Sequence, residues 1–180
     1  PSSPTYGEEI SPGYFQGQVT LHFFGHQNWG TCGARVGNLN DLYTDLINEG
    51  YANKVKIIAI GQSTYEGHNS NWIDDNSIPV LIDPASLDVW TSWGANQRDL
   101  FFLDAEGNYV TDFNITSWNY SNVYDNIISL IATPIYGCTT STACNYNPDA
   151  TDDDGSCESI EDECDDLALI HFSSSIPTEF

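Results

Sequence analysis

The chain has 180 residues, 40% of them hydrophobic and 13% aromatic, and carries 26 acidic against four basic side chains, a formal charge of -22. That is enough apolar material for one core plus an appendage. The charge repels phosphate backbones and anionic bilayers, which excludes nucleic acid as a partner, and no apolar run approaches the roughly 20 residues that span a membrane.

Residues 1–16 are rich in Pro, Ser, Gly and Tyr and read as an extended N-terminal arm, with room for one short edge strand. Val19 to Phe24 is a near-continuous apolar run, the pattern of a strand buried on both faces. His22 inside it reads as a hydrogen-bonded core histidine. A Gly-containing loop follows, then a helical pattern from about Cys32 to Glu49 that stops at Gly50. Lys54 to Ile60 is a second strand, so the first third of the chain is a βαβ unit with a parallel sheet.

Residues 61–76 are polar, with a short helix expected around Asn69 to Asp75. Ser77 to Asp83 is a strand in which Pro79 stands near the start, where a missing N–H is tolerated. Val89 to Gly94 reads as a helical turn. Asp99 to Asp104 and Tyr109 to Phe113 flank a turn at 105–108 and form an antiparallel hairpin. Ser121 to Ala132 has apolar spacing at Val123, Ile127 and Ile131, a terminal helix. The order is that of an α/β fold: a central mixed sheet flanked by helices. Trp72, Trp90, Trp93 and Trp118 read as core and rim packing.

The five cysteines divide into Cys32, alone, and four between Cys138 and Cys164. Two bridges in the C-terminal region plus one free thiol imply an oxidising, extracellular setting. The absence of Met and the Pro at position 1 fit a processed terminus. Residues 137–166 are too few to build a core and need a disulfide staple. Short-loop closure favours Cys144–Cys157, leaving Cys138–Cys164. The acidic run matches a calcium loop in part: Asp152, Asp154 and Glu161 fall at ligand positions three, five and twelve, whereas Ala150 stands at position one with no side-chain oxygen. No other cofactor is required. Eleven of the 26 acidic residues lie at or after Asp149. Beyond them, residues 167–180 form a tail whose Leu167 to Phe172 stretch is apolar and β-prone. That tail and the arm are where a second copy or another extracellular protein would pair.

Within a domain expected over residues 17–136, residues 17 to about 118 resemble a thioredoxin-like domain, and within that fold the N-terminal domain of selenoprotein P and its bacterial relatives. The segments that carry the resemblance are Val19 to Leu21, the turn Trp29-Gly30-Thr31-Cys32, Leu39 to Leu42 through Tyr51, Ile78 to Val80, Asp88 to Trp90, and Asp99 to Asp104. Cys32-x-Ala34 to Leu39 is also similar to the motif of bacterial thioredoxin-like reductases. In both comparisons the partner cysteine falls on Cys32 and the nucleophile on Trp29. The resemblance implies a degenerate redox turn formed by Trp29, Gly30, Thr31 and Cys32, with a cis bond before Pro79 placed against it. It leaves three readings of Cys32: a half-buried remnant in a binding or structural domain, a thiol with altered chemistry assisted by His26 or Arg35, or the partner of a selenocysteine read as Trp29. Residues 137–157 resemble a short cysteine-containing repeat of secreted marine bacterial proteins, and Ile176 to Phe180 resembles the lead into a type IX secretion tail. The resulting expectation is a secreted selenoprotein P-type thioredoxin fold with altered or lost thiol activity. The alternative is an extracellular structural, adhesive or self-assembling protein that uses the fold as a scaffold.

Overall fold

The computed structural model describes residues 7–131 and 136–158. The chain divides into two compact units, Pro1–Ala132 and Thr133–Phe180.

The first unit is a five-stranded sheet. Its strands are β1 (Val19–Phe24), β2 (Val55–Gln62), β3 (Val80–Asp83), β4 (Asp99–Leu103) and β5 (Tyr109–Asn114), in the spatial order β3-β2-β1-β4-β5. The β1–β2 and β2–β3 pairs are parallel; β1–β4 and β4–β5 are antiparallel. The central strand β1 is buried at all six positions, as its apolar run requires.

Side-chain alternation along the strands divides the apolar residues between two faces. Val19, Leu21 and Phe23 of β1 join Ile57 and Ala59 of β2 and Leu100 and Phe102 of β4. This face packs under α1 (Gly30–Asn48) through Val36, Leu39, Leu42 and Leu46, and under α4 (Tyr120–Ile131) through Val123 and Ile127. Helix α1 ends where expected: Gly50, at φ 96°, follows it, and the Tyr51 N–H donates back to the Leu46 carbonyl. Phe24, Ile58, Ile60 and Phe101 point to the other face, against Trp90 of α3 (Asp88–Trp93). The polar stretch after β2 forms a 3-10 helix (Ser63–His68) and α2 (Ser70–Ile73), whose Trp72 is fully buried in the first core.

Two expectations change here. The arm is not extended throughout: Pro12–Phe15 is a 3-10 helix, because Pro12 presets the helical φ. Phe15 then packs on the second face. The Ile78–Pro79 bond is trans, since the described residues contain no cis peptide bond. Pro79 stands immediately before β3, and its carbonyl accepts the Ala59 N–H at 2.9 Å.

The second unit holds a two-residue parallel pair, β6 (Tyr136–Gly137) and β7 (Asp152–Asp153), and a bridge from Cys138 to Tyr146. Its disulfide joins Cys138 to Cys157, 19 residues apart, and Cys144 is disulfide-bonded as well. The expected Cys144–Cys157 pairing is therefore corrected. Loops this similar in length differ by only about 0.3 kcal/mol in closure entropy, too little to select a partner. Local hydrogen bonds select it instead: the Asn147 N–H reaches the Cys138 carbonyl and the Cys144 N–H reaches the Glu158 carbonyl. Cys164 lies outside the described residues.

Candidate functional site

The loop between β1 and α1 leaves Trp29 at the surface and Cys32 inside it. Trp29 is the N-cap residue of α1 and is 49% exposed. Cys32, one turn on, is a free thiol with 0% exposure and belongs to the core beneath α1. Two features bury it. The helix turns its third residue inward toward Val36 and Leu39, and α2 lies over the first turn of α1. Asn71 of α2 presents its carbonyl 3.5 Å from where a Cβ on Gly33 would sit.

Gln27 holds this loop in place, and nothing in the residue pattern singled it out. It is fully buried. Its side-chain amide donates to the Gln62 carbonyl and to Asn69 Oδ1, both at 3.1 Å, and accepts the Gln62 N–H at 3.2 Å. Its own carbonyl accepts from Asn71 Nδ2 at 2.8 Å. A Gly at 61 is required because any Cβ there would collide with the Gln27 amide. The signal available in the sequence was a glycine inside a strand, which marks a close approach without naming what approaches.

His26 packs among aromatic rings. Its ring sits 4.6 Å from that of Tyr65, 5.5 Å from Trp90 and 5.9 Å from Trp29, and Nδ1 is hydrogen-bonded to the Gln97 amide. Burial, and then the Arg98 charge, hold its pKa below the usual histidine value. Arg35 is committed elsewhere too: its guanidinium donates to the carbonyls of Ile115 and Thr116, both at 2.8 Å, and to Asn38 Oδ1 at 2.7 Å. It clamps α1 to the segment after β5. Around the start of α1, exposed Trp29 and half-buried His26 and Tyr65 form an aromatic cluster that rests on buried Trp90, and the Cys32 thiol lies in the core.

His22 is a buried histidine, as expected, 3.0 Å from Thr20 Oγ1 and facing the Trp93 ring at 5.0 Å. Burial pushes its pKa down to about 4. Trp72 and Trp90 are buried, matching the packing expectation.

The acidic residues singled out for calcium are occupied with their own loop. Asp154 Oδ1 accepts the Ser156 N–H, and hydrogen bonding by the Ser156 hydroxyl, then by its N–H, lowers the carboxyl's pKa; Asp152 Oδ2 accepts from Thr151. Glu161 lies outside the described residues. Among those described, no three His, Cys, Asp or Glu side chains converge as a metal site, and no helix is long and apolar enough to cross a membrane.

The strand order, the helix after β1 and the cysteine in its first turn define a thioredoxin-like fold. Solved structures agree. A Neisseria meningitidis protein described as a thioredoxin superposes with a TM-score of 0.60 at 17% identity, covering 71% of this chain and 84% of that one. A secreted Mycobacterium tuberculosis disulfide oxidoreductase gives 0.53 at 16%, covering 69% and 90%. Copper-bound yeast Sco1 gives 0.58 at 13%, covering 73% and 85%. These likenesses are of fold. No protein-family model matches the chain, and no curated protein matches it.

Proposed function

We propose that this is a secreted thioredoxin-fold protein of selenoprotein P type that has lost conventional thiol–disulfide exchange and works as a binding or structural module. The observation that carries this reading is the fully buried, unpaired Cys32 three residues after an exposed Trp29. Exchange proceeds by attack of an accessible thiolate, and an internal disulfide must then release the mixed intermediate. A lone core thiol supplies neither. The disulfides of the second unit support an oxidising, extracellular location, and the residue order of that unit supports the secreted-repeat resemblance.

One observation favours self-assembly as a second reading. Strand β5 is an outer edge of the sheet, with no second strand paired to it among the described residues, and it exposes Tyr109 and Val110, an edge of the kind that adds a strand from another copy. A clean monomer by light scattering at high concentration rules that reading out.

The test of the main proposal is intact mass and alkylation of protein from its native source. A mass fitting Trp29, with Cys32 unreactive toward iodoacetamide until denaturation, supports loss of exchange. Selenium at residue 29, or fast alkylation of Cys32 in the native state, overturns it.

A further inference from the structure

A cavity of about 740 Å3 lies between the N-terminal arm and the second face of the sheet, within the 300–1,000 Å3 range of small-molecule sites. It stands on the face opposite the one that buries Cys32, so it is independent of the thiol reading. Six apolar side chains converge on it from three stretches of chain: Ile10 and Phe15 from the arm, Leu81 and Ile82 from β3, and Val89 and Trp93 from α3. Val89 is exposed and the others are half-buried. Apolar residues scattered over a surface are ordinary. Incompletely buried ones that share one concavity mark a place where a ligand completes the burial.

The polar groups decide what kind of ligand that is. No Lys or Arg is among the lining residues. His22 lines the cavity without charge near neutral pH, because burial pushes its pKa down to about 4. Asp83 stands in the wall, but its Oδ2 accepts the Trp90 N–H at 2.9 Å and its Oδ1 is closed to solvent. The other carboxylates, Glu8 and Glu9, are exposed on the arm. An ionised group of either sign that entered the cavity would therefore leave water without meeting a partner, which is costly. An anion would also approach Glu8, Glu9 and a chain of net charge -22. A cation would be drawn only to the two exposed carboxylates, where solvent screens the pairing to a small gain.

We propose that this cavity binds an uncharged aromatic molecule whose rings lie against Phe15, Leu81, Val89 and Trp93. Removal of its apolar surface from water supplies the affinity. Rings suit the site because Phe15 and Trp93 offer aromatic edges and faces to pack on. Glu8 and Glu9, exposed and lining the cavity, act by repulsion: they reject anions built on the same rings.

The test is fluorescence titration of the full chain with N-phenylnaphthylamine, an uncharged dye that brightens when it leaves water, and with anilinonaphthalenesulfonate, which adds a sulfonate to the same rings. Saturable one-to-one binding of the uncharged dye, at least about tenfold tighter than the sulfonate, is expected, since only the sulfonate must shed its hydration and face the arm carboxylates. Val89→Trp places a larger ring in the space from an exposed position and should weaken the uncharged dye by about tenfold or more. Glu8→Lys combined with Glu9→Lys reverses the charge on the exposed arm. That double variant should tighten the sulfonate by about fivefold or more while leaving the uncharged dye within about twofold. Absence of saturable binding of the uncharged dye, equal affinity for the sulfonate, undiminished binding in Val89→Trp, or an unchanged preference in the double variant overturns the proposal.

Discussion

The side-chain amide of Gln27 and the backbone of Gln62 form a reciprocal pair, Nε2 to the carbonyl and Oε1 to the N–H. That pair ties the loop before α1 to the end of β2, and so sets where Trp29 and the first turn of α1 sit. Gln27→Leu leaves part-buried backbone groups of Gln62 unpaired and should lower stability by about 2 kcal/mol, read as a fall in the urea midpoint at unchanged slope. Gly61→Ala should also destabilise, because the new methyl displaces the same amide. In a Gln27→Ala background the added cost of Gly61→Ala should largely vanish, since the obstacle is gone. A double-mutant cycle measures that coupling.

Trp29→Cys restores a Cys-x-x-Cys turn at the start of α1. The new residue takes an exposed N-cap position, where the helix dipole lowers a thiol's pKa, and Cys32 lies one turn behind it. This variant should lose two mass units on oxidation and regain them with dithiothreitol. It should also reduce insulin disulfides where the parent protein does not. Persistence of two free thiols under oxidant would show that α2 holds Cys32 beyond reach.

His22 titrates at about 4 in the folded protein and near 6.5 unfolded. Between those values the unfolded chain binds the extra proton, so stability falls as pH drops from 6.5 toward 4. The slope approaches 1.4 kcal/mol per pH unit and the total is about 3 kcal/mol. His22→Leu removes this contribution. The stability difference between parent and variant, measured by urea unfolding at pH 7, 6 and 5, should therefore shift in favour of the variant as pH falls. A constant difference would show that His22 is not held neutral by its burial.

The Cys138–Cys157 bridge predicts a single map. Non-reducing digestion should recover residues 138 and 157 in one linked fragment, with Cys144 absent from it. Cys138→Ser should destabilise the second unit by about 3 kcal/mol, the loop-entropy value for a bridge of this span.

Much of this architecture was legible in order along the chain. The unbroken apolar run from Val19 to Phe24 required a central strand, the 3.6-residue spacing of Leu39, Leu42 and Leu46 required α1, and Gly50 ended it. These are local signals, because backbone period and burial are both written into neighbouring residues. The solitary position of Cys32 after Trp29 was also plain, as was the absence of a second thiol at that turn.

Other features were settled only by contacts between distant segments. The burial of Cys32 depends on α2 crossing the first turn of α1, nearly 40 residues away in sequence. The partner of Cys138 depends on hydrogen bonds within a unit where chain entropy barely distinguishes the alternatives. Pro79 is trans, with its carbonyl taken up by Ala59 of β2, and Arg35 serves the segment after β5 in place of the thiol. Asp83 is an extreme case, since an aspartate at the end of an apolar strand looks like any surface carboxylate until α3 packs against it and the Trp90 N–H donates to its Oδ2. Composition and periodicity determine which residues must leave water. Only the folded arrangement determines which polar atoms are left facing one another, because hydrogen bonds are short, directional and indifferent to distance along the chain.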